Sequence, residues 1–205
     1  MQAKLTLLFD PLCGWCYGAQ PALAALDAAL SPDWTLLPTG LFARPQAMSA
    51  ERADYFWRND RRIAEMTGQP FSAAYRERVL ADLETPFDST LATQAWLLIE
   101  AARPDAALAA LHRIQALRYL DGLPHTPATL AEAAAEFGLD AADFRQRLAA
   151  GWPAGAQARL DAARDLMQRH RLQGVPALLA GERVVPGQYL YQPQTLIDHI
   201  ATLVA

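Results

Sequence analysis

The spacing of apolar residues changes along the chain and predicts which segments are strands and which are helices. The unbroken apolar run at residues 5–9 predicts a strand buried on both faces, as in the centre of a sheet. Apolar residues then recur at helical spacing as far as Leu30, and Pro21 inside this segment should bend or break the helix. A second strand is predicted over residues 34–41, where Pro38 favours an edge position or an irregularity.

Residues 43–171 have a different pattern and contain no convincing strand. Residues 49–65 are polar and partly helical. Helical spacing, capping residues and helix-breaking prolines predict further helices over residues 88–102, 105–120, 128–137, 141–149 and 155–171. A β-hairpin is predicted from residues 175–179 and 184–185, and a terminal amphipathic helix from residues 193–204. This order predicts an α/β fold with a large all-helical insertion.

Composition and charge narrow the class of protein. The chain has 205 residues, of which 52% are hydrophobic and 20% charged, as in soluble globular proteins. Its formal net charge of -4 and the lack of long basic runs argue against a nucleic-acid partner. No apolar run approaches the ~20 residues of a membrane span, and the first residues show no secretory pattern. We therefore expect a cytoplasmic protein without a membrane partner.

Two cysteines, Cys13 and Cys16, follow the first predicted strand and open the first predicted helix. A sulfur at a helix start lies beside backbone N–H groups that have no intrahelical partner, which favours the thiolate. Cys13 is thus the expected nucleophile, and Cys16, one turn later, can resolve a mixed disulfide. Two ordinary buried cysteines or half of a zinc site are the alternatives. Zinc needs about four ligands, and the four histidines are scattered, so no metal site is expected.

The segments around this pair and before the predicted hairpin resemble the DsbA branch of the thioredoxin superfamily. The matching residues are Phe9-Asp10-Pro11-Leu12-Cys13-Gly14-Trp15-Cys16-Tyr17-Gly18, Gly174-Val175-Pro176-Ala177 and Gly181. The resemblance implies a thioredoxin-like fold for residues 1–42 and 172–205, with residues 43–171 as a helical insertion domain. It also implies that Cys13 is an exposed nucleophile and Cys16 a buried resolving thiol.

The same resemblance assigns the loop before the hairpin to substrate binding. It implies that Pro176 is a cis-proline packed against the cysteine pair. Val175 would offer its backbone to a bound peptide or to glutathione, as one strand does to another.

The chain departs from the family pattern at several positions. Gly14 and Trp15 stand between the cysteines, where oxidising members often have a histidine, so we expect a less oxidising pair. Leu7 stands six residues before Cys13, where thioredoxin-like proteins commonly have a buried acid. Asp10 is the nearest acid, and three roles stay open for it, which are to orient the loop, to accept protons and to cap the loop.

Aromatic residues flank the thiols, and two interpretations of them stay open. Trp15 and Tyr17 either pack beneath the insertion or form an apolar surface beside Cys13 for a protein or aromatic substrate.

These features predict a DsbA-family protein disulfide oxidoreductase or isomerase that uses a Cys13/Cys16 dithiol–disulfide cycle. Its expected partners are protein or small-molecule disulfides and thiols, with no bound cofactor and with glutathione as a candidate co-substrate. The first alternative is a glutathione-dependent transferase or isomerase of the kappa-class type. Those enzymes use a single serine or cysteine, so Cys16 argues against them. The second alternative is a redox-sensing binding protein.

Overall fold

The sheet is built from the two ends of the chain. The structure, a computed structural model, describes residues 2–204. Within that range one sheet contains the strands β1 (Lys4–Phe9), β2 (Asp33–Pro38), β3 (Ala177–Ala180) and β4 (Arg183–Val184) in the order β2-β1-β3-β4. β1 runs parallel to β2 and antiparallel to β3. The predicted central position of the first strand and edge position of the second are both confirmed.

Helices account for most of the remaining chain. They are α1 (Gly14–Gly18), α2 (Gln20–Leu30), α3 (Ala50–Thr67), α4 (Thr90–Ala102), α5 (Ala107–Tyr119), α6 (Pro127–Ala135), α7 (Ala141–Ala149), α8 (Ala156–Arg169) and α9 (Pro193–Val204). A π-helix spans Tyr75–Leu80, and two 3₁₀ helices span Pro104–Ala106 and Gly187–Tyr191. The α/β order predicted from the sequence is confirmed, whereas the π-helix was not predicted.

Some element boundaries differ from the prediction for physical reasons. The first helix is broken as expected, and Pro21 lies in the first turn of α2, where its missing N–H needs no partner. β3 begins two residues later than predicted, because Val175 and Pro176 belong to the loop before it. The region between β2 and β3 also contains one isolated antiparallel bridge, between Gln46 and Phe87.

The sheet is covered on both faces. On one face, apolar residues of β1 share a core with α2 and α9, among them Leu5, Leu23 and Leu196. On the other face, Leu8 packs with Ala163 of α8 in a smaller core. The helix α8, predicted as part of the insertion, therefore contacts the sheet directly. The predicted division into residues 1–42 with 172–205 and residues 43–171 stays a prediction.

An aromatic cluster joins the start of the chain to the helical region. Tyr17 stacks on Tyr119 with ring centres 5.0 Å apart, and Tyr119 meets Tyr75 edge-on at 5.1 Å. These side chains are buried, so α1 is anchored to α5 and to the π-helix. Among residues 2–204, no helix is both long enough and apolar enough to cross a bilayer.

Candidate active site

Cys13 is placed by the turn between β1 and α1. It is the N-cap residue of α1, with extended backbone angles, and its Sγ accepts a hydrogen bond from the Cys16 N–H at 3.4 Å. A thiolate at this position is stabilised by that N–H, as the sequence suggested. The residue is only 7% exposed, whereas the resemblance implied an exposed thiol. The loop carrying Val175 lies against its sulfur.

Cys16 lies one helical turn deeper and is 2% exposed. Burial, and then the neighbouring Cys13, raise the pKa of the Cys16 thiol well above its usual range. Both residues are free thiols in the structure. The two sulfurs therefore differ in their surroundings. Cys13 receives a hydrogen bond that suits a thiolate, while burial favours the neutral thiol of Cys16.

Asp10 ties three parts of the chain together just before the cysteines. Its Oδ1 accepts from the Leu12 N–H at 2.9 Å, and its Oδ2 accepts from the Phe42 N–H at 3.1 Å and the Ser89 hydroxyl at 2.9 Å. Burial raises the pKa of this carboxyl, and these hydrogen bonds oppose that change. Two of these donors are backbone N–H groups, and the third belongs to Ser89, the N-cap residue of α4, so the carboxyl group fixes the position of the main chain around it. Of the roles left open, the geometry favours orientation and capping of the loop over proton transfer.

The loop before β3 completes the site from the far end of the chain. The Cys13 thiol donates a hydrogen bond to the Val175 carbonyl oxygen at 3.4 Å. The Val175–Pro176 peptide bond is cis. The structure therefore brings together Cys13, Cys16, Val175 and Pro176, the four residues on which the sequence prediction depends.

The aromatic neighbours of the cysteines lie in different places. Tyr17 is 1% exposed inside the aromatic cluster, which favours packing over substrate contact. Trp15 is half-buried, with its ring 5.3 Å from that of Tyr191. Trp15 also lines a groove with Met66, Gly187 and Gln188, so a surface role beside Cys13 suits it better.

A cavity of about 180 Å³ beside Cys13 contains an acid that the sequence did not single out. Its walls include Cys13, Phe56 and Tyr75, together with Asp60 of α3. Asp60 is 6% exposed, and its Oδ2 accepts from the Tyr75 hydroxyl at 2.9 Å. Burial raises the pKa of Asp60 to about 7, opposed by the Tyr75 hydrogen bond and by the charge of Arg118. In the sequence, Asp60 is one acid among many polar residues of its helix, which explains why it was missed.

Gly14 lets α3 approach the cysteine pair. A side-chain Cβ at this position would lie 2.4 Å from Asp60 Oδ1, closer than any real contact. Among residues 2–204, no cluster of three or more His, Cys, Asp or Glu side chains is arranged as metal ligands.

Comparisons with known proteins identify the family of the chain. Residues 4–198 match the family model of the DSBA-like thioredoxin domain. The cytosolic disulfide reductase DsbM from Pseudomonas aeruginosa is 33% identical, with a TM-score of 0.83 and 98% of each chain covered. A second structure of DsbM, with GSH, matches equally well.

More distant structures share the fold alone. A putative protein disulfide isomerase from Nitrosomonas europaea has 18% identity and a TM-score of 0.75 over the full length of both chains. A 2-hydroxychromene-2-carboxylate isomerase has 16% identity and a TM-score of 0.59, with 98% of this chain and 97% of that chain covered. A search of curated proteins gave no significant match. The chain has a thioredoxin-like fold with a helical insertion, as predicted, and it belongs to the DSBA-like thioredoxin family of thiol–disulfide oxidoreductases.

Proposed function

We propose that this protein is a cytoplasmic disulfide reductase in which Cys13 and Cys16 cycle between dithiol and disulfide, with glutathione as the reductant. The observation that carries the proposal is the hydrogen bond from the Cys16 N–H to Cys13 Sγ, which stabilises a thiolate beside a buried second thiol. The reducing direction, the compartment and the use of glutathione are supported by DsbM, described as a cytosolic disulfide reductase and solved with GSH.

The reaction begins when the Cys13 thiolate attacks one sulfur of the substrate disulfide. The substrate S–S bond breaks, one half leaves as a thiolate that takes up a proton, and the other half stays bound to Cys13. Cys16 then loses its proton and attacks Cys13 Sγ, which releases the second half and forms the Cys13–Cys16 disulfide. Two electrons pass from the dithiol to the substrate. Two molecules of glutathione restore the dithiol and become glutathione disulfide.

The loop at Val175 and Pro176 supplies the proposed substrate contact. The Val175 carbonyl accepts the Cys13 S–H hydrogen bond, so deprotonation of Cys13 leaves this acceptor free. A peptide backbone N–H of the substrate can then bind there in strand-like fashion. Trp15, half-buried beside Cys13, adds an apolar contact.

Nothing in the site favours the kappa-class alternative. Those enzymes need one reactive hydroxyl or thiol, whereas here a second thiol lies one helical turn from the first. The likeness to the chromene-carboxylate isomerase, at 16% identity, concerns the fold.

The test is a coupled assay of disulfide reduction. Purified protein is mixed with bis(2-hydroxyethyl) disulfide, glutathione, glutathione reductase and NADPH, and NADPH consumption above the uncatalysed rate is followed. We expect Cys13→Ser to reduce the rate to background, because the attacking sulfur is lost. Full activity of Cys13→Ser would overturn the proposal. Recovery of native ribonuclease from its scrambled form, without net reduction, would instead support the isomerase alternative.

A further inference from the structure

The packing of α3 against α1 places a carboxyl group beside the nucleophile. Asp60 and Cys13 line the same cavity, and Asp60 Oδ1 occupies the space that a Cβ on Gly14 would need. Gly14 directly follows Cys13 in the chain. The absence of a side chain at Gly14 therefore allows the acid to lie against the backbone next to the reactive sulfur.

The two oxygens of Asp60 differ in their partners. Oδ2 accepts the hydrogen bond from the Tyr75 hydroxyl, whereas Oδ1 has no hydrogen-bond partner among the described residues. The side chain is 94% buried, since its exposed fraction is 6%. Oδ1 is not among the side-chain atoms that are sealed from solvent without a partner, so it is open to a proton or a hydrogen-bond donor from the cavity.

Asp60 shares its cavity with other titratable groups. Cys13, Tyr55, Tyr75 and Tyr119 line the same cavity as Asp60. Arg118 of α5 acts on Asp60 through its charge. Burial raises the pKa values of Tyr75 and Tyr119 above their ordinary range, so both stay neutral. The Arg118 guanidinium lies 5.4 Å from the centre of the Tyr75 ring. The pKa of Asp60, raised to about 7, lies where a proton can be taken and returned.

Other candidate acids fit this role less well. Asp10 already accepts three hydrogen bonds, which hold the loop in place. Leu7, at the position where thioredoxin-like proteins commonly have an acid, is buried in the sheet. The acid is thus supplied from α3 in the helical region rather than from β1.

We propose, on the basis of the function proposed above, that Asp60 is the acid–base residue of the first exchange step. The Asp60 carboxylate takes the proton of the Cys13 thiol, which leaves a thiolate and a neutral carboxyl group. The thiolate attacks the substrate disulfide, and the released thiolate takes the proton from Asp60, which restores the carboxylate. The cavity of about 180 Å³ has room for water to carry the proton between these groups.

Two pH profiles test this role. The first is the single-turnover rate of reduction of bis(2-hydroxyethyl) disulfide, a neutral substrate, between pH 5 and 9. The second is the rate of Cys13 alkylation by iodoacetamide in a Cys16→Ala background, which needs no turnover. We expect Asp60→Asn to lower the reduction rate at pH 7 at least tenfold. It should also abolish the change in rate near pH 7, the limb of each profile that reports the titration of Asp60.

Two further variants separate an acid–base role from a structural one. Tyr75→Phe keeps the carboxyl group but removes a hydrogen bond that favours its charged form, so the limb should move to higher pH. Asp54→Asn changes an exposed acid of the same helix, and its profiles should match those of the unmodified protein. Profiles of Asp60→Asn or Tyr75→Phe that superimpose on the unmodified protein would overturn the inference.

The outcomes also distinguish this inference from the proposed function. Loss of reduction in Cys13→Ser, together with unchanged profiles in Asp60→Asn, would leave the function standing and overturn the role of Asp60. Absence of reduction by the unmodified protein, with a limb near pH 7 in Cys13 alkylation that Asp60→Asn abolishes, would overturn the function and keep the coupling between Asp60 and Cys13.

Discussion

The Cys13 thiol donates a hydrogen bond to the carbonyl oxygen of Val175, 3.4 Å away, although 162 positions separate the two residues. Cys13 follows β1 and Val175 precedes β3, and these strands are antiparallel neighbours in the sheet. The reactive sulfur and the main chain proposed to bind substrate are thus held by one pair of strands. The helical region between them in sequence adds the cavity and Asp60.

Replacement of the resolving thiol should trap the first intermediate. We expect Cys16→Ser, treated with glutathione disulfide, to accumulate one glutathione per chain on Cys13, because the second sulfur that would release it is absent. Mass spectrometry of the intact protein measures this adduct. Cys13→Ser is the matched control and should take up none, since Cys16 is buried. Equal adducts in both variants would contradict the assignment of nucleophile and resolving thiol.

Asp10→Asn should destabilise the protein, because an amide cannot accept all three hydrogen bonds that the carboxylate accepts. We expect the free energy of unfolding to fall by about 2–3 kcal/mol, measured by urea denaturation. Ser89→Ala, which removes one of these bonds, should cost about 1 kcal/mol. The account of Asp10 as the anchor of the loop fails if Ser89→Ala costs more than Asp10→Asn.

Gly14→Ala should displace Asp60, since the added Cβ would lie 2.4 Å from its Oδ1. The expected loss is about 1–3 kcal/mol in the free energy of unfolding. The loss should shrink in an Asp60→Ala background, where the obstructing carboxyl group is gone. Gly187→Ala is the control, because a Cβ there meets no atom within 4 Å. Equal losses from Gly14→Ala in both backgrounds would show that the added Cβ has no steric conflict with Asp60.

Stability should depend on pH through Asp60. Its pKa is about 7 in the folded protein against 3.8 for an ordinary aspartate, so between these values the folded state binds the proton more tightly. The stabilisation that the folded state gains from proton binding at Asp60 is fully present below about pH 4, and it is lost as the pH rises through 7.

Asp60→Asn should therefore stabilise the protein more at pH 8 than at pH 4, by a difference on the order of 4 kcal/mol. Denaturant unfolding at the two pH values measures this difference. Asp54→Asn, on the exposed side of α3, should show none. A difference of the opposite sign for Asp60→Asn would mean that Asp60 is ionised and well paired in the folded protein.

The sequence predicted those features that depend on local chemistry. Three features could be recognised from a few neighbouring residues: the Cys13-x-x-Cys16 spacing, the apolar run of β1 and the break at Pro21. The structure confirms the strand and the broken helix. The family resemblance led to Val175 and Pro176, which lie far from the cysteines in sequence.

Long-range packing limited what could be predicted about the site. Asp60 matters because α3 lies over Gly14 and because Tyr75 donates to its Oδ2, and neither contact has a signal in the local sequence. The packing of Tyr17 on Tyr119, 102 positions further along, likewise decided between two roles that the sequence left open. The π-helix at Tyr75–Leu80 has six residues, too few for its i→i+5 spacing to repeat, and it was missed for that reason.

The reduction potential of the Cys13–Cys16 pair tests the proposed redox cycle most directly. The protein is equilibrated in buffers of glutathione and glutathione disulfide, free thiols are alkylated, and the oxidised fraction is read by mass spectrometry. A glutathione-driven reductase should have a potential of about -200 to -270 mV, the range of glutaredoxins and thioredoxin. A potential near about -120 mV, the value of a strong oxidant, would contradict the reducing direction. Failure to form the disulfide at any potential would contradict the dithiol cycle itself.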